Sequence, residues 1–87
     1  MKVKKGFMLR EVANNFVVVP VGKAAIDFNG IITLNETGAY LWEQLLEDIV
    51  FDDLVLALTN KYEVSSDVAT SDVQAFVFEL NKANLLE

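Results

Sequence analysis

The stretch Ile31-Ile32-Thr33-Leu34-Asn35-Glu36-Thr37-Gly38-Ala39-Tyr40-Leu41-Trp42 holds the change of period on which the fold turns. Ile31 to Leu34 is apolar and β-branched, as a strand requires, whereas beyond Leu34 the apolar positions recur with helical spacing. Gly38, Leu41, Trp42, Leu45 and Ile49 fall on one stripe of a first helix. Asn35 is a good N-cap, Glu36 sets a carboxylate against the positive end of the helix dipole, and Leu34 with Ala39 suits a hydrophobic staple. A strand therefore runs straight into a helix with its cap between them.

Upstream of that junction the chain has strand chemistry. Phe7 to Val12 and Phe16 to Val21 flank Asn14-Asn15, a pair that tolerates the positive φ of a two-residue hairpin turn. Pro20 cannot donate to a ladder and belongs at an edge, a bulge or a strand end. Gly22-Lys23 turns the chain, after which Ala24 to Phe28 and Ile31 to Leu34 flank Asn29-Gly30, the strongest short hairpin signal in the sequence. The expectation is a sheet of three principal strands with an extra short hairpin at Asn29-Gly30.

Downstream, a second helix begins near Val50 to Asp52 with a poor cap, and Leu54, Val55, Leu58 and Tyr62 make its buried face. Val64-Ser65-Ser66 ends it. Ser66 is expected to cap a third helix whose stripe is Ala69, Val73, Phe76, Val77, Leu80 and Ala83, and Asn84 supplies a left-handed C-cap with Leu85 and Leu86 folding back. Strands first and helices after give an α+β fold, a three-stranded antiparallel sheet followed by three helices. It resembles a winged helix with its sheet moved to the front. Eighty-seven residues make one core, so a single domain is expected over residues 1–87.

Composition removes several classes of function. The chain has no cysteine and no histidine, so disulfides, zinc fingers, thiol nucleophiles and imidazole acid–base catalysis are out of reach. The neighbouring carboxylates Glu47-Asp48 and Asp52-Asp53 point to different azimuths at helix ends, and no loop has the ligand spacing of a hard-cation site. Neither catalysis nor a cofactor nor a metal is expected. No apolar run reaches membrane-spanning length and Met1-Lys2-Val3-Lys4-Lys5-Gly6 lacks an apolar signal core, so no membrane partner is expected and a cytoplasmic location is the default.

Charge is unevenly placed. Residues 1–23 carry a balance of +4, residues 24–87 one of −10, and the whole chain −6. The last helix would present Asp67, Asp72 and Glu79 against Lys82 alone, so a major groove would repel it and nucleic acid is not an expected partner. Peptide binding fits better. If Ile31 to Leu34 is the edge of the sheet and the third helix runs beside it, an extended peptide can add to the strand and place side chains in an apolar groove. Phe78 lies about 140° round the helix from Val73, outside the core stripe, and is a binding contact, a dimer contact, or packed under the sheet.

Several short motifs occur in an order that resembles one family. The run Phe28 to Trp42, containing Leu34-Asn35-Glu36-Thr37-Gly38, is followed by Tyr62-Glu63-Val64 and by Asp72-Val73-Gln74-Ala75-Phe76-Val77-Phe78-Glu79-Leu80. In order and spacing these resemble the PqqD family, the pyrroloquinoline quinone biosynthesis protein D group or RiPP recognition element. The likeness spans about residues 7–86, with two departures: Gly22 to Asn29 is longer than a direct strand-to-strand turn, and Phe78 replaces a polar residue.

The resemblance implies a non-enzymatic peptide chaperone. Such a protein binds the leader segment of a ribosomally synthesised precursor peptide and presents it to a modifying enzyme, by analogy a radical-SAM maturase or a lasso-peptide protease. It further implies that the leader adds beside Ile31, Ile32, Thr33 and Leu34 and packs against Val73, Phe76, Val77 and Leu80, with Phe78 as a further contact. The competing classes are an acidic winged-helix regulator acting through protein contacts and a structural homodimer module.

Overall fold

A computed structural model describes residues 1–27 and 30–87 of the chain. Strand β1 (Phe7–Val12) pairs antiparallel with β2 (Asn15–Pro20), from Phe7 opposite Pro20 to Val12 opposite Asn15. Strand β3 (Ile32–Leu34) pairs antiparallel with the other side of β2, Phe16 opposite Leu34 and Val18 opposite Ile32, giving the order β1-β2-β3. Helices α1 (Ala24–Asp27), α2 (Glu36–Gln44), α3 (Phe51–Lys61) and α4 (Ser66–Lys82) complete the fold. The α+β class and the three-stranded antiparallel sheet stand as expected, but four helices are present where the sequence predicts three, the short α1 lying between β2 and β3.

The first turn differs from the expectation by one residue. Ala13 and Asn14 form the loop, with φ of 51° and 67°, the two positive values of a type I′ turn. Moving the loop from Asn14-Asn15 to Ala13-Asn14 displaces the pairing by two residues. That displacement leaves every side chain on the face it would otherwise occupy, because the pleat repeats every two.

The segment after β2 also departs from the strand expected there. Val21 donates to the Gly6 carbonyl at 2.8 Å, and then Ala25 donates to Gly22 at 3.2 Å and Ile26 to Lys23 at 3.1 Å, winding the alanine pair into the short helix α1. Alanine is the strongest helix former, and little in Ala24-Ala25 opposes this. A β-carbon added to Gly6, whose φ is +94°, would stand 2.9 Å from the Ala24 β-carbon, so α1 rests on a glycine. The hairpin expected at Asn29-Gly30 involves Phe28 and Asn29, which lie outside the described residues.

Helix α2 is held at its start by Asn35, whose side chain accepts from the Gly38 amide at 2.7 Å. It ends at Gln44 and stops short of Ile49, which the apolar stripe assigns to it. The Leu45 amide is shared between the carbonyls of Leu41 and Trp42, and beyond it the chain's own amino-terminal segment takes the backbone groups. Val3 donates to Leu45 at 2.9 Å and Ile49 donates to Met1 at 2.9 Å. On its other side the same segment meets the carboxyl-terminal residues: Lys4 donates to Leu85, Glu87 donates to Lys2, both at 2.8 Å, and Val3 bridges Leu86.

Helix α3 has Val50 at its N-cap position and so no side-chain cap, as its sequence foretells. Ser65, not Ser66, caps α4, accepting from the Val68 amide at 3.2 Å. Asn84 ends that helix with φ of 60°; Leu85 donates to Leu80 at 2.9 Å and Asn84 to Asn81 at 3.0 Å, the two bonds of a Schellman motif. The core joins Val18 from the sheet to Leu41, Trp42, Leu45, Leu54, Leu58, Ala69 and Val73 from the helices, with Val3 and Leu85 sealing its base. Among the described residues no helix is long and apolar enough to cross a membrane.

Candidate functional site

The site is built from the junction that decides the fold. β2 occupies one edge of β3; among the described residues no strand occupies the other. A short edge of this kind presents N–H and C=O groups that another strand can complete. Because Asn35 starts α2 directly after Leu34, the free edge of β3 opens onto the first turn of α2 and one flank of α4.

Between β3 and α4 lies a groove of about 360 Å³. Ile32, Thr33 and Leu34 form one wall, Phe76, Glu79, Leu80 and Ala83 the other, and Asn35 and Gly38 close one end. A second hollow of about 300 Å³ continues from that end, between the start of α2 and the Asp72 and Ala75 positions of α4, with Phe76 and Glu79 bordering both. Gly38 makes the convergence possible. A β-carbon there would stand 3.3 Å from Phe76 Cε1, 3.4 Å from Leu34 Cβ and 3.2 Å from Asn35 Oδ1.

The residues singled out from the sequence divide into three sets. Ile32, Thr33, Leu34, Phe76 and Leu80 come together around the groove, and Ile31, 61% exposed, precedes it on the open side. Leu80 belongs at once to the core, where its own surface is almost wholly covered, and to the groove wall. Val73 has no exposed surface and Val77 packs against the core, so neither borders the groove; in this structure they hold α4 in place behind it. Phe78 is 64% exposed and lies about 160° round α4 from Phe76, so packing under the sheet is excluded and it faces away from the groove.

Sequence reasoning left Asn35, Gly38, Glu79 and Ala83 out of the site, with Asp72 beside them. Ala83 and Gly38 stood in apolar stripes, where a small residue reads as core filler. Glu79 and Asp72 flank the stripe of α4 by about 100 to 120° from Val73, and nothing in the helix itself distinguishes a solvated rim from a groove rim.

Chemically the groove offers backbone edge groups, apolar side chains and two carboxylates. No group of three or more His, Cys, Asp or Glu residues among those described is placed to hold a metal ion. The titrations that are displaced belong elsewhere. Asp48 is lowered by the hydrogen bond and charge of the chain's ammonium group, and Tyr62 is raised by burial, then by the charge of Glu36.

The sequence profile of the coenzyme PQQ synthesis protein D family (PqqD) matches residues 15–86. No curated protein matches the chain closely enough to count as a relative. Among solved structures, TbiB1 in complex with the TbiA(beta) leader peptide superposes with a TM-score of 0.76 at 21% identity, covering 100% of this chain and 95% of that one. A lasso peptide synthetase B1 complexed with the leader peptide gives a TM-score of 0.71 at 21% identity, over 97% and 93% of the two chains. At such identity the likeness is one of fold.

Proposed function

The chain belongs to the PqqD family, and from that premise we propose that it is a non-enzymatic recognition element for the leader segment of a ribosomally synthesised precursor peptide. The leader adds as a strand along the free edge of β3, sets its apolar side chains into the groove beside Phe76 and Leu80, and is presented to a modifying enzyme. The observation that carries this reading is the coincidence of an unoccupied strand edge with an apolar groove along its length. The two similar solved structures, each holding a leader peptide, support it. The enzyme it serves is, by family analogy, a radical-SAM maturase or a lasso-peptide protease, and the setting is the cytoplasm.

The magnitudes allow reversible presentation. An edge of three residues offers about two to four outward hydrogen bonds at about 1 kcal/mol net each. One or two apolar anchors add roughly 1.5 to 3 kcal/mol apiece, against the cost of ordering a flexible peptide. What remains is binding of micromolar order or weaker, no tighter than about −8 kcal/mol. The protein thus holds its guest long enough to hand it over.

The test is a titration with the leader segment of any short precursor peptide found encoded near this chain's gene. Heat of binding is expected, together with amide shift changes that cluster at residues 31–35 and along α4 from Phe76 to Ala83. Absence of both heat and shifts would refute the proposal.

A further inference from the structure

The groove does not end at Ala83. That residue also borders a hollow of about 520 Å³ whose charged lining is Lys4, Lys5 and Lys23. This hollow lies beyond the Ile32 end of β3. The sheet register sets Ile32 opposite Val18, and continuing along β2 leads to Pro20 opposite Phe7, which lines the same hollow. At the Leu34 end, by contrast, the groove opens toward Phe76, Asp72 and Glu79. Taken in order along α4, with Ala83 shared by the last two, the hollows make a trough with a rim of two carboxylates at one end, an apolar middle and three ammonium groups at the other.

No salt bridge among the described residues neutralises either end. Among the described residues the one ion pair joins the Met1 ammonium to Asp48. All three lysines come from residues 1–23, the segment with a balance of +4, and the fold gathers them, three of the chain's seven basic side chains, around this one hollow. Opposed charge patches across a recognition surface act mainly on partner choice, orientation and encounter rate.

Building on leader recognition by the groove, we propose that the trough selects its guest by charge order. The guest is an extended peptide with a basic residue on the amino-terminal side of its apolar anchors and an acidic residue on the carboxyl-terminal side. The order follows from an antiparallel guest, the pairing already used throughout the sheet. Such a guest runs from the Leu34 end to the Ile32 end, bringing its amino-terminal half to Asp72 and Glu79. The spacing follows from α4. Asp72 to Ala83 spans about 16 Å of helix, which an extended chain covers in about five residues, so the opposite charges are separated by five or more positions.

A yeast-displayed library of random 15-residue peptides, sorted for binding to the intact protein, tests this. The parent protein is expected to enrich Lys or Arg before the apolar anchors and Asp or Glu after them. Asp72→Lys with Glu79→Lys is expected to reverse the preference on the amino-terminal side alone. Lys4→Glu, Lys5→Glu and Lys23→Glu together reverse it on the carboxyl-terminal side alone. Each swap weakens a parent-selected peptide roughly three- to tenfold, less as salt is raised. Enrichment of apolar segments with no charge bias, or a bias that neither swap moves, overturns the charge order while leaving strand recognition standing. No enrichment over an unrelated control protein removes the recognition reading itself. Circular dichroism on both swapped variants confirms that they fold.

Discussion

The ring edge of Phe76 crowds the place a side chain on residue 38 would take: 3.3 Å separates Phe76 Cε1 from the position of a β-carbon on Gly38. The absent side chain lets strand edge, helix cap and aromatic ring meet at one end of the groove. Gly38→Ala is expected to change stability by no more than about 1 kcal/mol, since a helix gains a similar amount on exchanging glycine for alanine and the crowded neighbours shift by tenths of an ångström. Leader affinity is expected to fall roughly three- to tenfold as the ring is displaced. Calorimetry and thermal melting separate the two effects. Unchanged affinity would show that Phe76 does not shape the groove.

Asn35 and Ser65 make a controlled comparison, because both cap helices but only Asn35 borders the groove. Replacing either by alanine is expected to cost about 0.5 to 2 kcal/mol, read from urea denaturation by the fluorescence of the buried Trp42. Asn35→Ala should also weaken leader binding when measured well below its unfolding midpoint. Ser65→Ala should not. Equal losses of affinity would mean that general stability, rather than the local cap, governs binding.

These two caps also show what a sequence can carry. The passage from Leu34 through Asn35 into α2 was legible because strand, cap and helix each have local signatures, and the same holds for Asn84 with Leu85 at the end of α4. The choice between Ser65 and Ser66 was not, since adjacent residues of one type offer the same oxygen. The turn at Ala13-Asn14 escaped for a related reason: a two-residue shift preserves inward and outward faces, leaving only the weak preferences of alanine and asparagine to decide. Val3 was invisible. A lone valine among lysines has no period, and it is brought into the core by its bond to the Leu45 carbonyl and by the carboxyl-terminal residues beside it. Of the groove, the strand wall and Phe76 could be read, but its charged rims arise from residues distant in sequence that only the packing of α4 brings together.

Ala13 holds a positive φ of 51° without being glycine or asparagine. The left-handed region costs such a residue roughly 1 kcal/mol or more, while type I′ turns favour Asn-Gly. Ala13→Asn combined with Asn14→Gly is therefore expected to stabilise the protein by about 0.5 to 1 kcal/mol, visible as a raised denaturation midpoint with an unchanged slope. Neither loop residue lines the groove, so leader affinity should stay constant. A lowered midpoint would contradict the assigned turn.

The amino-terminal strap gives the fold an acid sensitivity. The Asp48 carboxylate accepts from the Met1 ammonium at 2.9 Å, and that hydrogen bond and charge hold its pKa below the ordinary carboxylate value. A lowered carboxylate pKa stabilises the folded state above the unfolded value of about 4, and the benefit is lost as pH falls through the folded value. Asp48 is exposed, so salt screens the effect. Hydrogen exchange at the Val3 and Ile49 amides is expected to lose protection on acidification below pH about 4, beyond any global unfolding. Asp48→Asn should abolish that dependence, and an identical pH profile in the variant would place the sensitivity elsewhere.

Phe78 provides the sharpest separation between groove and surface. It stands on α4 two residues from Phe76, yet the helical rotation carries it to the far side, where 64% of it meets solvent. Phe78→Glu is expected to alter stability by no more than about 0.5 kcal/mol, the usual range for an exposed site, and to leave leader affinity within twofold. Phe76→Ala, by contrast, removes a groove wall and should weaken binding at least tenfold. Light scattering on the Phe78 variant reads a separate property: if copies of the chain associate through this face, the glutamate shifts them to monomers without touching the groove. A loss of leader binding in Phe78→Glu comparable to that in Phe76→Ala would mean that the guest wraps around α4 instead of lying along β3.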